Sequence, residues 1–197
     1  AFNAFPTPEM VNAYYFGMKK GVSLRVSHHM YFEHEIKQFN LLNFQEAWKN
    51  VFKRHSAFRI KVNEDGTSNI IEDLQPRIIV HDMQQQSECV IKKHLLDIRT
   101  SMVNSDPLIP PYSFHVITLL PHKVAYICEY FTGLNVDARS LHAAKLEALS
   151  YYLNPQTRLP PLTFSYRDYW VEEANIRQSQ KGLYCKEWWT NKLKTMP

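Results

Sequence analysis

The sequence predicts an α+β fold, a mostly antiparallel sheet covered by helices. Three observations carry that expectation. Residues 22–36 alternate along their length, with Val22, Leu24, Val26, His28, Met30, Phe32, His34 and Ile36 on one face and mostly polar residues on the other. That is the period of a strand with one buried side. Residues 44–55 trace a helical stripe of Phe44, Ala47, Trp48, Val51, Phe52 and His55. Residues 124–131 are apolar on both faces except at Glu129, which predicts a central strand.

The remaining elements follow in order. Residues 6–16 predict a short helix, with Thr7 as N-cap, Pro8 at the first helical position and Gly17 as terminator. Asn43 and Glu46 have capping-box spacing ahead of the 44–55 helix. Short strands are expected at 57–63, 67–73 and 77–81, the first two joined by the hairpin signal Glu64-Asp65-Gly66. A helix is expected over 86–104, then a break at the prolines of 105–111. Residues 112–120 and 123–131 predict a hairpin across Pro121-His122. A helix over 137–153, a Pro-rich linker at 155–161 and a helical region from Ser165 to about 194, broken near Gly182, complete the chain. No internal repeat is present.

The chain has 197 residues, enough for one domain or one large lobe of a bigger unit. A chain that size buries roughly 70% of its unfolded surface and holds a core without staples. Hydrophobic residues at 45% and charged residues at 21% exclude wholesale disorder. A formal net charge of +4 with no Lys/Arg run excludes a nucleic-acid signature. The three cysteines, Cys89, Cys128 and Cys185, are widely spaced and form no CxxC, so neither a disulfide framework nor a zinc site is indicated. A cytoplasmic setting is expected. No stretch is long and apolar enough to span a membrane. With Ala1 at one end and Pro197 directly after a helical pattern, the sequence is expected to be a piece of something longer.

Candidate chemistry concentrates in Thr132-Gly-Leu-Asn-Val-Asp-Ala-Arg-Ser140. The segment leaves the central strand and enters a helix, where N-terminal N–H groups face ligands in layered folds. Asp137 and Ser140 also have helix-cap spacing, a role compatible with a functional site. The pair His28-His29 cannot converge on one ion, because neighbours on a strand point to opposite faces. His28 and His34 share a face but stand about 20 Å apart. They read as core or crevice histidines, and no metal site is expected. HxxxH, HExxH, GxSxG, P-loop and GxGxxG patterns are absent. Trp188 and Trp189 point about 100° apart on a helix, so one should pack and the other face an interface.

Read in order, the segments resemble one family: the heterocyclization subclass of nonribosomal peptide synthetase condensation domains. The resemblance rests on Phe5 to Gly17, on Gly21-Val-Ser with the strand ending Tyr31-Phe-Glu33, and on Ala47-Trp48 through Arg54-His55 and Arg59 to Asp65-Gly66. Val80-His-Asp82, Asp137-Ala-Arg-Ser140, Leu159-Pro-Pro-Leu162, Ser165-Tyr-Arg-Asp-Tyr169, Trp188-Trp189 and Leu193 continue it to the end. It implies a chloramphenicol-acetyltransferase-like lobe: residues 1–197 would be a single N-terminal lobe, with the C-terminal lobe absent.

The implied activity joins a donor acyl group to Cys, Ser or Thr, then closes the side chain onto the new amide with loss of water. Thiazoline or oxazoline rings result, as in siderophores. Implied partners are peptidyl or aryl carrier proteins, the missing lobe and adjacent synthetase domains, without nucleic acid or membrane. No cofactor is bound directly; the phosphopantetheine arm of the carrier brings the substrate.

The resemblance marks Asp137, Ser140 and Thr132 as catalytic positions, and Gly133 and Arg139 as substrate-binding. Thr132 stands where the subclass carries its first Asp. Thr132 and Gly133 stand where ordinary condensation domains carry two histidines. A threonine hydroxyl cannot act as a general base near neutrality, so the isolated lobe is expected to be inactive. Two other readings stay open: a non-catalytic scaffold that docks carrier proteins, and a coenzyme-A-dependent acyltransferase lobe of the same superfamily.

Overall fold

The structure, a computed structural model, describes residues 4–19, 28–104, 112–119 and 124–196. The described residues form two sheets. The larger is ordered β2-β7-β6-β5, with β2 at His29–Ile36, β5 at Arg77–Asp82, β6 at Tyr112–Leu119 and β7 at Val124–Thr132. The smaller is β1-β4-β3, with β1 at Phe5–Pro6, β3 at Ile60–Val62 and β4 at Thr67–Ile70. Every pair is antiparallel except β5 with β6. Their connection runs through α3 (Glu88–Val103), and a helical crossover returns the chain in the same direction.

β7 is central, flanked by β2 and β6, as its two-sided apolarity requires. One face of the large sheet carries α2 (Leu41–Arg54) and α4 (Ala138–Leu153). The α2 stripe of Phe44, Trp48, Val51 and Phe52 meets Phe114, Ile127 and Phe131 from the sheet and Leu141 and Ala144 from α4. Each large side chain so buried contributes about 1.5–3 kcal/mol. The other face carries α3, through Leu95, Ile98 and Met102 against Ile117, Cys128 and Tyr130. The small sheet packs with α1 (Glu9–Met18) and α5 (Tyr166–Gln178) around Phe5, Tyr15, Ile60, Ile70 and Trp170. A last helix, α6 (Gln180–Lys194), has no buried residue.

Several local expectations need correction. Thr7 does not cap α1: its hydroxyl lies 2.6 Å from Ser68 Oγ of β4, because Phe5–Pro6 is a strand rather than helix. Pro8 takes the N-cap place without a side-chain bond, and Gly17 lies inside the helix. The cap of α2 is Asn40, whose side chain accepts the Asn43 N–H at 3.1 Å, so the helix starts three residues early. Residues 56–59 form a 3-10 turn instead of the start of a strand. The break in the last helical region falls at Ser179, which accepts the Gly182 N–H at 3.3 Å and caps α6. Trp188 and Trp189 touch edge to face at 4.8 Å, and both stay exposed. The expected strand residues 22–27, the break at 105–111 and the turn at Pro121-His122 lie outside the described residues.

Candidate functional site

The segment after β7 is pinned to both cores. Leu134 is buried in the cluster of the small sheet, and Val136 in the cluster under α2 and α4. Between them Asn135, 3% exposed, donates its side-chain N–H to the Ile60 carbonyl at 3.2 Å. Its Oδ1 is buried with no hydrogen-bond partner among the described residues. Three successive residues thus tie the loop to both layers, which fixes its course.

Thr132 is fully buried, and its hydroxyl accepts the Leu134 N–H at 3.3 Å. Asp137 is the exposed N-cap of α4 and accepts the Ser140 N–H at 2.7 Å. Donation from the Ser140 backbone, then from its hydroxyl, holds the Asp137 carboxyl below the usual carboxylate range. Arg139 and Ser140 are exposed on the first turn of α4. Asp137, Arg139 and Ser140 therefore face the surface, while Thr132 lies inside.

Gly133 has a close neighbour. Its N–H donates to the His28 carbonyl at 2.9 Å, and a Cβ built on it would lie 1.7 Å from His28 Nδ1. A face of that imidazole is stacked on Tyr14 of α1, with centroids 4.9 Å apart and planes 6° from parallel. Sequence reasoning treated His28 as an ordinary crevice histidine; the signal that could have found it is a glycine directly after a buried strand, which allows close approach.

An open groove of about 430 Å³ runs beside the loop. Met10, Val11 and Tyr14 of α1, residues 133–137 with Ser140, and Tyr166 and Tyr169 of α5 line it. Burial pushes the Tyr166 hydroxyl pKa up, so it stays protonated at neutral pH and can donate. A second groove of about 750 Å³ shares Asn135, Ser140, Tyr166 and Tyr169 and extends to Arg54, His55, Arg59 and Arg167. Two of these cations are structural. Arg59 donates to the carbonyls of Phe52, Lys53, Ile71 and Glu72. Arg54 donates to Glu147 at 3.1 Å and to the Pro160 carbonyl at 2.6 Å, joining α2, α4 and the Pro-rich linker. His55 Nε2 meets the same Glu147 oxygen at 2.7 Å.

Among the described residues no three His, Cys, Asp or Glu side chains converge to hold a metal ion. No described helix is long and apolar enough to cross a membrane.

No protein-family model matches the chain. Its backbone is similar to the cyclization-docking bidomain of the nonribosomal peptide synthetase EpoB from Sorangium cellulosum, with TM-score 0.90 and 22% identity over 98% of this chain and 39% of that one. Among curated proteins it is 29% identical over 161 residues to bacitracin synthase 1 of Bacillus licheniformis, covering 80% of this chain and 3% of that protein. It is 23% identical over 155 residues to pyochelin synthetase PchF of Pseudomonas aeruginosa, covering 78% of this chain and 9% of that protein. The fold is that of condensation domains, α+β with helices over a mostly antiparallel sheet. In fold the chain is similar to cyclization and condensation domains of nonribosomal peptide synthetases. It spans about two fifths of the EpoB bidomain and less than a tenth of the curated synthetases it matches.

Proposed function

We propose that the chain is the N-terminal lobe of a heterocyclization domain. The groove beside Thr132–Ser140 is one wall of a channel, and a C-terminal lobe supplies the other. A donor acyl thioester on one carrier protein is joined to the amine of Cys, Ser or Thr on a second. The side chain then adds to the new amide, and water leaves to give a thiazoline or oxazoline of the siderophore class. Phosphopantetheine arms of the carriers bring both substrates, and neighbouring synthetase domains are the further partners. The observation that carries this reading is the groove itself, open along the loop and floored by residues pinned to both cores. The similarity to the EpoB cyclization-docking bidomain supports the heterocyclizing branch.

One lobe supplies half a channel, so the chain alone should be inactive. Mass spectrometry of loaded carrier proteins tests this. The chain alone should give no amide, and the longer synthetase that carries it should give amide and ring. Product from the chain alone overturns the reading.

One observation favours the scaffold alternative. The Thr132 hydroxyl and the Asp137 carboxylate are both committed to backbone N–H groups of their own loop. Thr132→Asp in the longer synthetase separates the two. Activity already present with Thr132, and little changed by the substitution, counts against a scaffold.

A further inference from the structure

We propose that His81 and His94 form a two-histidine site for a divalent late-transition-metal ion of the zinc class, joining the edge strand β5 to α3. The site is independent of the two grooves, since no residue of β5 or α3 lines either of them.

His81 comes from β5 and His94 from α3, 13 residues apart in sequence. That separation matches none of the short metal-binding spacings, and only the packing of the helix on the sheet brings the rings together. His81 Nδ1 stands 3.1 Å from His94 Nε2. Zinc holds an imidazole nitrogen at about 2.0–2.1 Å, which sets two nitrogens of a tetrahedral site about 3.3 Å apart. The ring planes are 69° apart and the centroids 4.7 Å apart. Nitrogens aimed straight at each other would hold the centroids farther apart than that. The ring axes therefore bend off the line between the nitrogens, as meeting on one ion requires. Both residues are half-buried, which leaves the other coordination positions to water.

The protonation chemistry agrees. A metal takes imidazole in its neutral form, and zinc, nickel and copper are ions that imidazole suits. Burial, and then the neighbouring His94, hold the His81 pKa below its ordinary 6.5, so this ring is neutral at neutral pH. Between the facing nitrogens one donates a hydrogen and the other accepts it. With both rings neutral, metal binding moves that hydrogen to the far nitrogen of the donating ring. His81 then carries its hydrogen on Nε2 and His94 on Nδ1, and no net proton is released.

The place in the fold gives the ion something to hold. α3 is anchored by Leu95, Ile98 and Met102 on Ile117, Cys128 and Tyr130 of the inner strands. β5 ends the large sheet, pairs with β6 alone and has no buried residue. Two metal–nitrogen bonds in place of one hydrogen bond fasten this edge to the anchored helix.

The test is a zinc titration of the full chain, with exposed Cys89 and Cys185 replaced by serine to remove competing thiolates. In nitrogen NMR of the histidine rings, zinc should shift His81 Nδ1 and His94 Nε2 together. The thermal midpoint should rise by about 5 °C at about a hundredfold excess over the dissociation constant. His81→Gln and His94→Gln should each weaken zinc affinity about 10-fold or more and abolish that rise. Where a variant fails to fold, the ring-nitrogen shifts of the intact pair still decide. Zinc that fails to move both nitrogens, or that binds either variant as tightly as the intact pair, overturns the inference and leaves the pair a hydrogen bond only.

Discussion

The hydroxyl of Thr132 accepts the N–H of Leu134, 3.3 Å away, inside a residue with no exposed surface. The contact closes the turn that leads from the central strand to α4. Thr132→Val keeps the shape and removes the acceptor, leaving a buried N–H unpaired. It should cost about 1–2 kcal/mol in denaturant unfolding. Thr132→Ser keeps the acceptor and should lose less. A valine variant as stable as the wild type would show that the hydroxyl does not hold the turn.

Asp137 caps α4, and its role separates from charge by substitution. Asp137→Ala should cost about 1 kcal/mol, whereas Asp137→Asn, an equally good cap, should cost little. The folded pKa lies below the ordinary 3.8, so the carboxylate's contribution is complete above that value. It is lost as pH falls through the lower folded value. Stability measured against pH should show this acid loss in the wild type and not in Asp137→Asn.

His81 of β5 and His94 of α3 meet at 3.1 Å between ring nitrogens. Burial, and then the neighbouring His94, depress the His81 pKa below 6.5. The unfolded chain therefore binds this proton more readily than the folded one. The stability held by the pair is complete above 6.5 and falls as pH drops below it. Thermal unfolding at about pH 7.5 and about pH 5.5 should show a larger loss in the wild type than in His81→Phe. Equal losses would place the acid sensitivity elsewhere.

Glu129, 5% exposed on the central strand, is ion-paired with Lys145 of α4, whose ammonium also lies 3.8 Å from the centroid of Phe32. His34 Nε2 stands 3.4 Å from the same carboxylate oxygen. Lys145→Met should destabilise by about 3 kcal/mol, because it strands a buried carboxylate. Glu129→Leu in that background should recover most of the loss. A single variant as stable as the wild type would mean the carboxylate finds enough solvent without its partner.

The fold was legible where a period is long. The α2 stripe, the two-sided β7 and the alternation of Met30, Phe32 and Ile36 all reached the positions their spacing predicts. Caps were less legible. Asn40 and Asn43 are equally plausible by type, and only the helix-to-sheet packing decides between them. The two-residue strand Phe5–Pro6 has too few positions for any period, so Thr7 was read as a cap although Ser68 claims its hydroxyl. In the site, the loop 132–140 was visible as a strand-to-helix junction. The burial of Thr132 and the approach of His28 were not, since both depend on β2 and α1, far away in sequence.

The most direct test of the half-channel is the accessibility of Ser140, at the junction of the two grooves. Exposed Cys89 and Cys185 are first replaced by serine, and Ser140→Cys is labelled with a bulky polymer-linked maleimide. The chain alone should react quickly, and the same position in the longer synthetase should be shielded by a second lobe. Equal labelling in both would contradict the account.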